Sequence, residues 1–155
     1  MIRCHIMDER EREAVSAWTY EGAYAIYNLP PYAEQKARRM ALGNPETMRY
    51  YHAYYDGALL IGFTKLTEGE REVSVGVGVE PGLCGRGYGR RILLRAAALS
   101  QALYPGKPLS LEVRTWNRRA VRCYEKAGFQ IDGAPFARAT PIGEGLFYRM
   151  VKPPA

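Results

Sequence analysis

The segment from Val73 to Leu103 constrains the fold of this chain more than any other. Valines alternate with serine and glycine from Val73 to Val79, which is the period of a β-strand with one apolar face and one nearly bare face. Pro81 and Gly82 end this strand, and three glycines with one residue between each pair follow. A helical run from Arg90 to Leu103 comes next. Strand, glycine turn and helix start together form a pocket of backbone N–H groups that suits a phosphate.

The composition predicts one globular domain spanning residues 1–155. Hydrophobic residues make up 47% and charged residues 25% of the chain, which is ordinary for a soluble protein. No apolar run approaches the roughly 20 residues of a membrane span, and the N-terminus lacks the pattern of a signal peptide. The three cysteines are an odd number without metal-ligand spacing. We therefore expect reduced thiols, no metal site, no membrane partner and a cytoplasmic location.

The net charge of +6 favours an anionic ligand or partner. Arginines cluster around the glycine turn and again further along the chain, at Arg86, Arg90, Arg91 and Arg95, then at Arg114, Arg118, Arg119 and Arg122. Such a cluster is either a solvated helix face or a contact for a polyanionic cofactor. Its position beside a phosphate-type turn favours the cofactor.

The first third of the chain predicts two helices and a hairpin. Asp8 to Ala17 is expected to be a helix capped by Asp8, and Ala33 to Leu42 a second helix closed by Gly43. The intervening stretch, Trp18 to Tyr32, is interrupted by prolines and predicts a loop or broken helix. Strands at Met48–Tyr55 and Ala58–Lys65 flank Asp56-Gly57, a strong hairpin signal.

The remainder predicts a strand at Leu109–Val113, a helix at Asn117–Ala127 that Gly128 ends, and two last strands at Phe129–Ile131 and Leu146–Val151. A hairpin followed by alternating strands and helices gives a mixed sheet with helices on both sides.

Two motifs resemble those of the GCN5-related N-acetyltransferase (GNAT) family. Val79 to Gly89 resembles its acetyl-coenzyme A loop, which usually has Val-x-Pro, then Gln or Arg, two free positions, Gly, one free position, and Gly or Ala. Asn117 to Phe129 resembles the second motif of the same family. Both occur in order, with a helix and a strand between them. The resemblance implies an α+β fold of three layers (α/β/α) around a central mixed, mostly antiparallel sheet. It also implies a cytoplasmic enzyme that moves an acetyl group from acetyl-CoA to a primary amine.

The resemblance also implies which residues hold acetyl-CoA. Strand residues offer backbone hydrogen bonds to the pantetheine arm, amides of the loop and helix start hold the pyrophosphate, and two residues of the second motif complete the site. These residues are Val77, Gly78, Val79, Cys84, Gly85, Arg86, Gly87, Tyr88, Gly89, Arg90, Asn117 and Tyr124.

Cys84 departs from the family pattern because it stands where glutamine or arginine is common. This substitution puts one phosphate-side contact in doubt. Cys84 is not expected to be an acyl-accepting nucleophile, since it lies at the phosphate end of the loop and no partner base is evident.

The expected chemistry is direct attack of the amine, without a covalent enzyme intermediate. In the family a tyrosine at the position of Tyr124 protonates the leaving thiolate, although Tyr124 also fits a packed helix tyrosine. Asn117 fits either cofactor positioning or a helix N-cap. Leu111-Glu112-Val113-Arg114 resembles the strand of ribosomal-protein alanine N-acetyltransferases, in which the glutamate is the proposed base. Because an amine attacks only when neutral, a base at Glu112 is useful; a plain ion pair with an arginine is the alternative.

The acceptor side is expected in the broken segment near the N-terminus. Its candidate residues are Trp18, Tyr20, Glu21, Tyr24 and Tyr27. They either line an amine pocket through aromatic faces and a carboxylate or form core beneath a loop. The acceptor is a small-molecule amine or a peptide N-terminus, and homodimers are common in the family.

Other classes of protein fit less well. Arg86 to Gly89 matches the opening of an RNA-recognition strand motif, but Arg90-Arg91-Ile92-Leu93 follows where stacking aromatics belong. Arg90 also occupies the third glycine position of a dinucleotide-binding loop, and a Walker-type Gly-Lys-Ser/Thr is missing. We therefore expect no nucleic-acid partner, although an RNA-binding module remains an alternative. A non-catalytic acetyl-CoA sensor is another, and the presence of Tyr124 argues against it.

Overall fold

The computed structural model describes residues 1–154, and within them it has eight strands and four α-helices. The strands are β1 (Ile2–Ile6), β2 (Tyr51–Asp56), β3 (Leu59–Glu68), β4 (Val73–Val79), β5 (Leu109–Arg114), β6 (Gln130–Ile131), β7 (Phe136–Thr140) and β8 (Gly143–Lys152). The helices are α1 (Glu9–Ser16), α2 (Tyr32–Ala37), α3 (Tyr88–Leu103) and α4 (Arg118–Lys126). Short 3₁₀ turns lie at Gly22–Tyr27, Ala41–Gly43, Met48–Tyr50 and Pro81–Leu83.

The strands form one mixed sheet in the order β1-β2-β3-β4-β5-β8-β6, with β7 also paired to β8. The pair of β4 with β5 is parallel. The pairs of β1 with β2, of β2 with β3, and of β8 with each of β5, β6 and β7 are antiparallel. The predicted α+β class with a mixed, mostly antiparallel sheet is therefore confirmed.

The chain divides into two compact units. The first contains residues 1–65 and 77–88, and the second contains residues 66–76 and 89 onward. The chain passes between the units inside β3, inside β4 and after the first residue of α3, so each of these elements contributes residues to both.

The first unit has an apolar core built from α1, α2 and β2. Its buried members are Met7, Val15, Tyr32, Leu42, Tyr51 and Ala53, and half-buried residues including Trp18 and Phe63 pack against them. The spacing along α1 explains the packing, because its one buried apolar side chain, Val15, lies on the same helix face as the buried Glu11.

The carboxylate of Glu11 is buried but well supplied with donors. It accepts hydrogen bonds from the backbone N–H of Asp8, which completes a capping box at the start of α1, and from the hydroxyl of Tyr55. His5 Nε2 lies 2.7 Å from the same carboxylate. Burial and the bond to Glu11 raise the pKa of Tyr55 to about 12. This cluster ties β1, α1 and β2 together.

The second unit buries apolar side chains of α3, β5 and β8, among them Ile92, Leu93, Leu111 and Met150. Beside this core, Arg149 of β8 donates two hydrogen bonds to Glu72, at 2.8 and 2.7 Å, and one to Asp132 at 3.1 Å. The paired guanidinium, helped by a hydrogen bond from Ser110, lowers the pKa of Glu72 to about 2. The three charged side chains join the start of β4 to β8.

Three elements differ from the sequence-based predictions. Strand β1 was not predicted; it is five residues long and pairs with β2, which lies far away in the sequence. Strand β7 was not predicted because its residues are mostly exposed and only pairing with β8 orders them. The second helix was predicted to reach Leu42, but α2 ends at Ala37.

The early end of α2 has a local cause. Arg39 and Ala41 adopt positive φ angles of 51° and 49°, and the Gln35 side chain accepts a hydrogen bond from the Leu42 N–H at 3.0 Å. A Cβ at Gly43 would lie 2.4 Å from the backbone of Gln35. The chain therefore folds back closely against the helix instead of continuing it. The smaller differences are at boundaries: β2 starts at Tyr51, β3 runs on to Glu68, and β8 starts at Gly143.

Replacing Glu72 with Gln is expected to lower the free energy of unfolding by about 1 kcal/mol at neutral pH, because it removes a partly exposed paired charge. Since the folded-state pKa of Glu72 is depressed, its stabilising contribution is present above pH 4.5 and is lost as the pH falls toward 2. Urea unfolding between pH 7 and pH 2.5 tests this prediction. The wild type should lose stability more steeply below pH 4.5 than Glu72→Gln does; parallel curves would contradict it.

Candidate functional site

Strand β4 leaves most of one edge without a strand partner. Its register with β5 covers Val73 and Ser74, and within residues 1–154 no further pair extends it toward the end of β4. Glu80 N–H donates to the Ile61 carbonyl at 2.9 Å, so the even-numbered peptide groups at this end face β3. Because peptide groups alternate in direction along a strand, Val77 and Val79 direct N–H and C=O to the edge opposite β3.

The bare face of β4 is filled by an aromatic ring of the neighbouring strand. A Cβ built on Gly78 would lie 2.3 Å from Cε1 of Phe63, so the ring occupies the space of a side chain. The Phe63 ring in turn lies 6.1 Å from Trp18 and 6.3 Å from Tyr51, centroid to centroid. Gly78 is therefore a packing requirement, and Phe63 is a residue of this site that sequence analysis missed. The sequence signal for such a residue is the glycine at position 78 of β4, which leaves room for a large side chain from a neighbouring strand.

The loop after β4 begins with a 3₁₀ turn at Pro81–Leu83 and then directs the Cys84 thiol back toward the strand. Cys84 Sγ lies 3.9 Å from the Val79 carbonyl oxygen and 3.7 Å from that of Glu80. These distances fit weak S–H···O bonds. The side chain of Cys84 thus helps to close the loop on itself.

Two glycines of the loop have the same left-handed conformation. Gly85 and Gly87 both have φ of +80°, and an added Cβ on either would meet no atom within 4 Å. The exposed Arg86 lies between them. Left-handed residues alternating with ordinary ones turn successive N–H groups toward one side, which is how backbone binds anions. The backbone of this loop is open to a ligand.

Helix α3 begins at Tyr88, two residues before the predicted start at Arg90. The Tyr88 hydroxyl donates to Asp56 Oδ2 at 2.8 Å and so fixes the end of the loop to the hairpin of β2 and β3. The sequence predicts Asp56 only as a residue of the hairpin turn. The first turn of α3, which includes Gly89, carries no acidic side chain, so its N–H groups face no competing anion of their own helix.

In the second unit, both residues of the second motif have local structural roles. Asn117 is the buried N-cap of α4, and its Oδ1 accepts the Ala120 N–H at 3.2 Å. Tyr124 is half-buried on the same helix, with its ring centroid 6.4 Å from that of Phe129. Arg90 Nε donates to the Lys126 carbonyl at 3.1 Å, which joins α3 to the end of α4.

Glu112 lies on β5 between the buried Leu111 and Val113, and its side chain points away from them. Its carboxylate forms an ion pair with Arg138 of β7 at 2.5 Å, and both side chains are about half exposed. The ion pair considered for Glu112 is thus present, with a partner that sequence analysis missed because β7 itself was missed.

The five candidate acceptor residues differ in burial and in the contacts described below. Trp18 packs on the core and also lines a cleft of about 700 Å³ between α1 and α2. The Tyr20 hydroxyl donates to the Val79 carbonyl at 2.7 Å. Glu21, Tyr24 and Tyr27 belong to the 3₁₀ turn and its N-cap, where Glu21 and Tyr27 are exposed and Tyr24 is half-buried. Trp18 is thus a core residue of the first unit that also borders a cleft.

The model of the acetyltransferase (GNAT) family matches residues 7–129, which include the loop after β4 and the helix α4. The chain belongs to this family. It is an acetyltransferase, and acetyl-CoA is its co-substrate. The match confirms the family resemblance that the two sequence motifs indicate.

Solved structures share the fold of this acetyltransferase at low sequence identity. A chimera of spermidine N-acetyltransferase from Vibrio cholerae is 19% identical, with a TM-score of 0.77 over 98% of this chain and 94% of its own. Ribosomal-protein-S18-alanine N-acetyltransferase from Escherichia coli is 18% identical, with a TM-score of 0.68 over 100% and 95%. An aminoglycoside acetyltransferase in complex with coenzyme A is 17% identical, with a TM-score of 0.75 over 99% and 95%.

A search of curated proteins found no match. Two further observations concern residues 1–154 alone. No helix there has the length and apolar character needed to cross a membrane. No group of three or more histidine, cysteine, aspartate or glutamate side chains is arranged to hold a metal ion in that range.

Replacing Gly87 with Ala is expected to lower the free energy of unfolding by about 1 kcal/mol, because a side chain at positive φ is strained even in open space. Gly82→Ala is the matched control in the same loop, since Gly82 has an ordinary φ and only the flexible Glu80 side chain near it. Urea unfolding of the two variants measures the difference. Equal stability of Gly87→Ala and Gly82→Ala would mean that the loop has no such strain.

Proposed function

We propose that this acetyltransferase transfers the acetyl group of acetyl-CoA to a primary amine by direct attack, acting as one domain over residues 1–155. The acceptor is a small-molecule amine or a peptide N-terminus. One observation carries the proposal: a strand edge without a strand partner leads into an open loop with left-handed glycines at 85 and 87. Such an arrangement offers backbone hydrogen bonds to an extended arm and to a phosphate in succession.

The residues present fit acetyl-CoA. Val77 supplies its N–H and C=O and Val79 its N–H at the β4 edge, and the amides of the pantetheine arm would pair with them as an added strand does. The loop from Cys84 to Gly87 and the first turn of α3 supply N–H groups for the pyrophosphate. Because the Cys84 thiol contacts carbonyls of its own loop, its contribution to phosphate binding comes from the backbone.

The proposed chemistry forms a C–N bond and breaks a C–S bond in one addition–elimination. The neutral amine attacks the thioester carbonyl, Tyr124 donates its phenolic proton to the departing thiolate, and Glu112 accepts a proton from the attacking nitrogen through a water molecule. Arg138 holds the Glu112 carboxylate in place. Asn117 fixes the start of α4 and thereby the helix that carries Tyr124.

The cysteines support direct transfer rather than an acyl-enzyme. Burial raises the pKa of the Cys123 thiol, which reduces the fraction of reactive thiolate. Cys84 directs its sulfur toward the carbonyls of Val79 and Glu80, which hold the thiol against its own loop. The proposed transfer therefore uses neither thiol as a nucleophile.

An amine acceptor agrees with the relatives of similar fold, which are named for acetylating spermidine, aminoglycosides and a ribosomal-protein alanine. In this chain the acceptor wall is proposed to be the segment that contains Trp18, Tyr20, Glu21, Tyr24 and Tyr27. Its aromatic faces and its carboxylate suit a cationic or polar amine before the amine loses its proton.

Replacing Tyr124 with Phe is expected to lower kcat by about 100-fold while acetyl-CoA still binds, because general-acid catalysis is lost. The measurement is release of the coenzyme thiol in a screen of polyamines, aminoglycosides and peptides with free N-termini. Tyr104→Phe is the control, since Tyr104 is a half-buried tyrosine in the connection after α3. Full turnover by Tyr124→Phe would remove Tyr124 from the mechanism.

Replacing Glu112 with Gln is expected to lower kcat/KM by about 100-fold, because the base is lost. Arg138→Gln breaks the same ion pair but keeps the carboxylate, so it should retain most of the activity. The two variants are compared over a pH series with the best amine from the screen. If both variants retained wild-type activity at every pH, Glu112 would be a surface ion-pair residue and not a base.

A further inference from the structure

We propose that Tyr20 is a positioning residue for acetyl-CoA, which fixes the end of the β4 edge and couples the acceptor segment to it. This inference rests on the proposed function, because it assumes that the edge pairs with the pantetheine arm. The hydrogen bond from the Tyr20 hydroxyl to the Val79 carbonyl, 2.7 Å long, joins residues 59 positions apart in the sequence.

The Val79 carbonyl that accepts this hydrogen bond lies at the end of β4, directly before the glycine loop. Val79 is the last residue of β4, and its peptide group lies at the edge opposite β3, where no strand partner is registered within the described residues. The hydroxyl therefore orients the last peptide of the edge before the loop begins. Both the N–H and the C=O of Val77, and the N–H of Val79, remain directed to the same edge for a ligand.

Tyr20 is itself held at a fixed place by Asn28. The Tyr20 N–H donates to Asn28 Oδ1 at 2.6 Å, and Asn28 Nδ2 donates to the Tyr20 carbonyl at 3.2 Å. This pair of bonds closes the segment from 20 to 28 into a loop, with the 3₁₀ turn Gly22–Tyr27 between its ends. The hydroxyl is thus presented by a closed loop and not by a freely moving chain.

Tyr20 therefore connects two parts of the proposed site, the β4 edge and the segment from 20 to 28. Residues 21–27 carry exposed apolar surface, including Ile26 at 37% and Tyr27 at 40% exposure. The two hydrogen bonds between Tyr20 and Asn28 close this segment, and the Tyr20 hydroxyl joins it to β4. Acetyl-CoA binding at the β4 edge should therefore reduce the motion of residues 21–27. Conversely, a more mobile segment should lower the affinity for acetyl-CoA.

The test compares wild type and Tyr20→Phe by calorimetric titration with two ligands. One is acetyl-CoA, and the other is 3′-phosphoadenosine 5′-diphosphate, which has the phosphates of the coenzyme but no pantetheine arm. Removing one oriented hydrogen bond is expected to raise the Kd for acetyl-CoA about 5- to 10-fold. The Kd for the nucleotide should not change, since the loop that binds phosphates keeps its own contacts.

Two further variants keep the result interpretable. Tyr50→Phe is the matched control, because the Tyr50 hydroxyl contacts Arg49 at 2.7 Å and lies outside the proposed site; it should bind acetyl-CoA as the wild type does. Asn28→Ala keeps the hydroxyl but removes the bracket, and its Kd for acetyl-CoA should rise in the same direction as that of Tyr20→Phe. Thermal unfolding checks that every variant is folded.

Amide hydrogen exchange supplies a readout independent of affinity. Acetyl-CoA is expected to slow amide exchange across residues 21–27 in the wild type and to slow it less in Tyr20→Phe. An unchanged or lower Kd for acetyl-CoA in Tyr20→Phe, or equal protection in both proteins, would overturn the inference. Failure of the wild type to bind acetyl-CoA would instead overturn the proposed function, so the two failures are distinguishable.

Discussion

The early end of pairing between β4 and β5 is the constraint on which the proposed site depends. Two residues of β4 pair with β5, after which the edge peptide groups of β4 need other partners, because unpaired backbone polar groups are costly when they are removed from water. Tyr20 supplies one partner at the Val79 carbonyl. A ligand with amide groups along an extended arm could supply the others, and acetyl-CoA is such a ligand.

Glycine has two distinct roles around this edge. Gly78 is small because Phe63 fills the space of its side chain, which makes it part of the core. Gly85 and Gly87 are surrounded by open space, and their value is a left-handed backbone that turns N–H groups toward a ligand. Glycine therefore allows close packing on one face of β4, and in the following loop it allows a backbone conformation that exposes N–H groups.

Much of the fold was predictable because its sequence signals are local. Alternating valines gave β4, Asp56-Gly57 gave the first hairpin, and Asp8 gave the start of α1. What sequence could not provide depended on partners far away in the chain. Strand β7 pairs with β8 and has no buried face with alternating apolar residues. The ion pair of its Arg138 with Glu112 could therefore not be predicted from the sequence. The contacts of Tyr20 and Phe63 with β4 likewise follow from tertiary packing, which propensity does not encode.

The most direct test of this account is calorimetric titration of the wild-type protein with acetyl-CoA, with a short RNA as the comparison ligand because the chain carries a net charge of +6. The account predicts saturable one-to-one binding of acetyl-CoA with a Kd on the order of micromolar and no comparable binding of RNA. Absence of acetyl-CoA binding, or binding of RNA alone, would contradict the assignment of the β4 edge and its glycine loop as the coenzyme site.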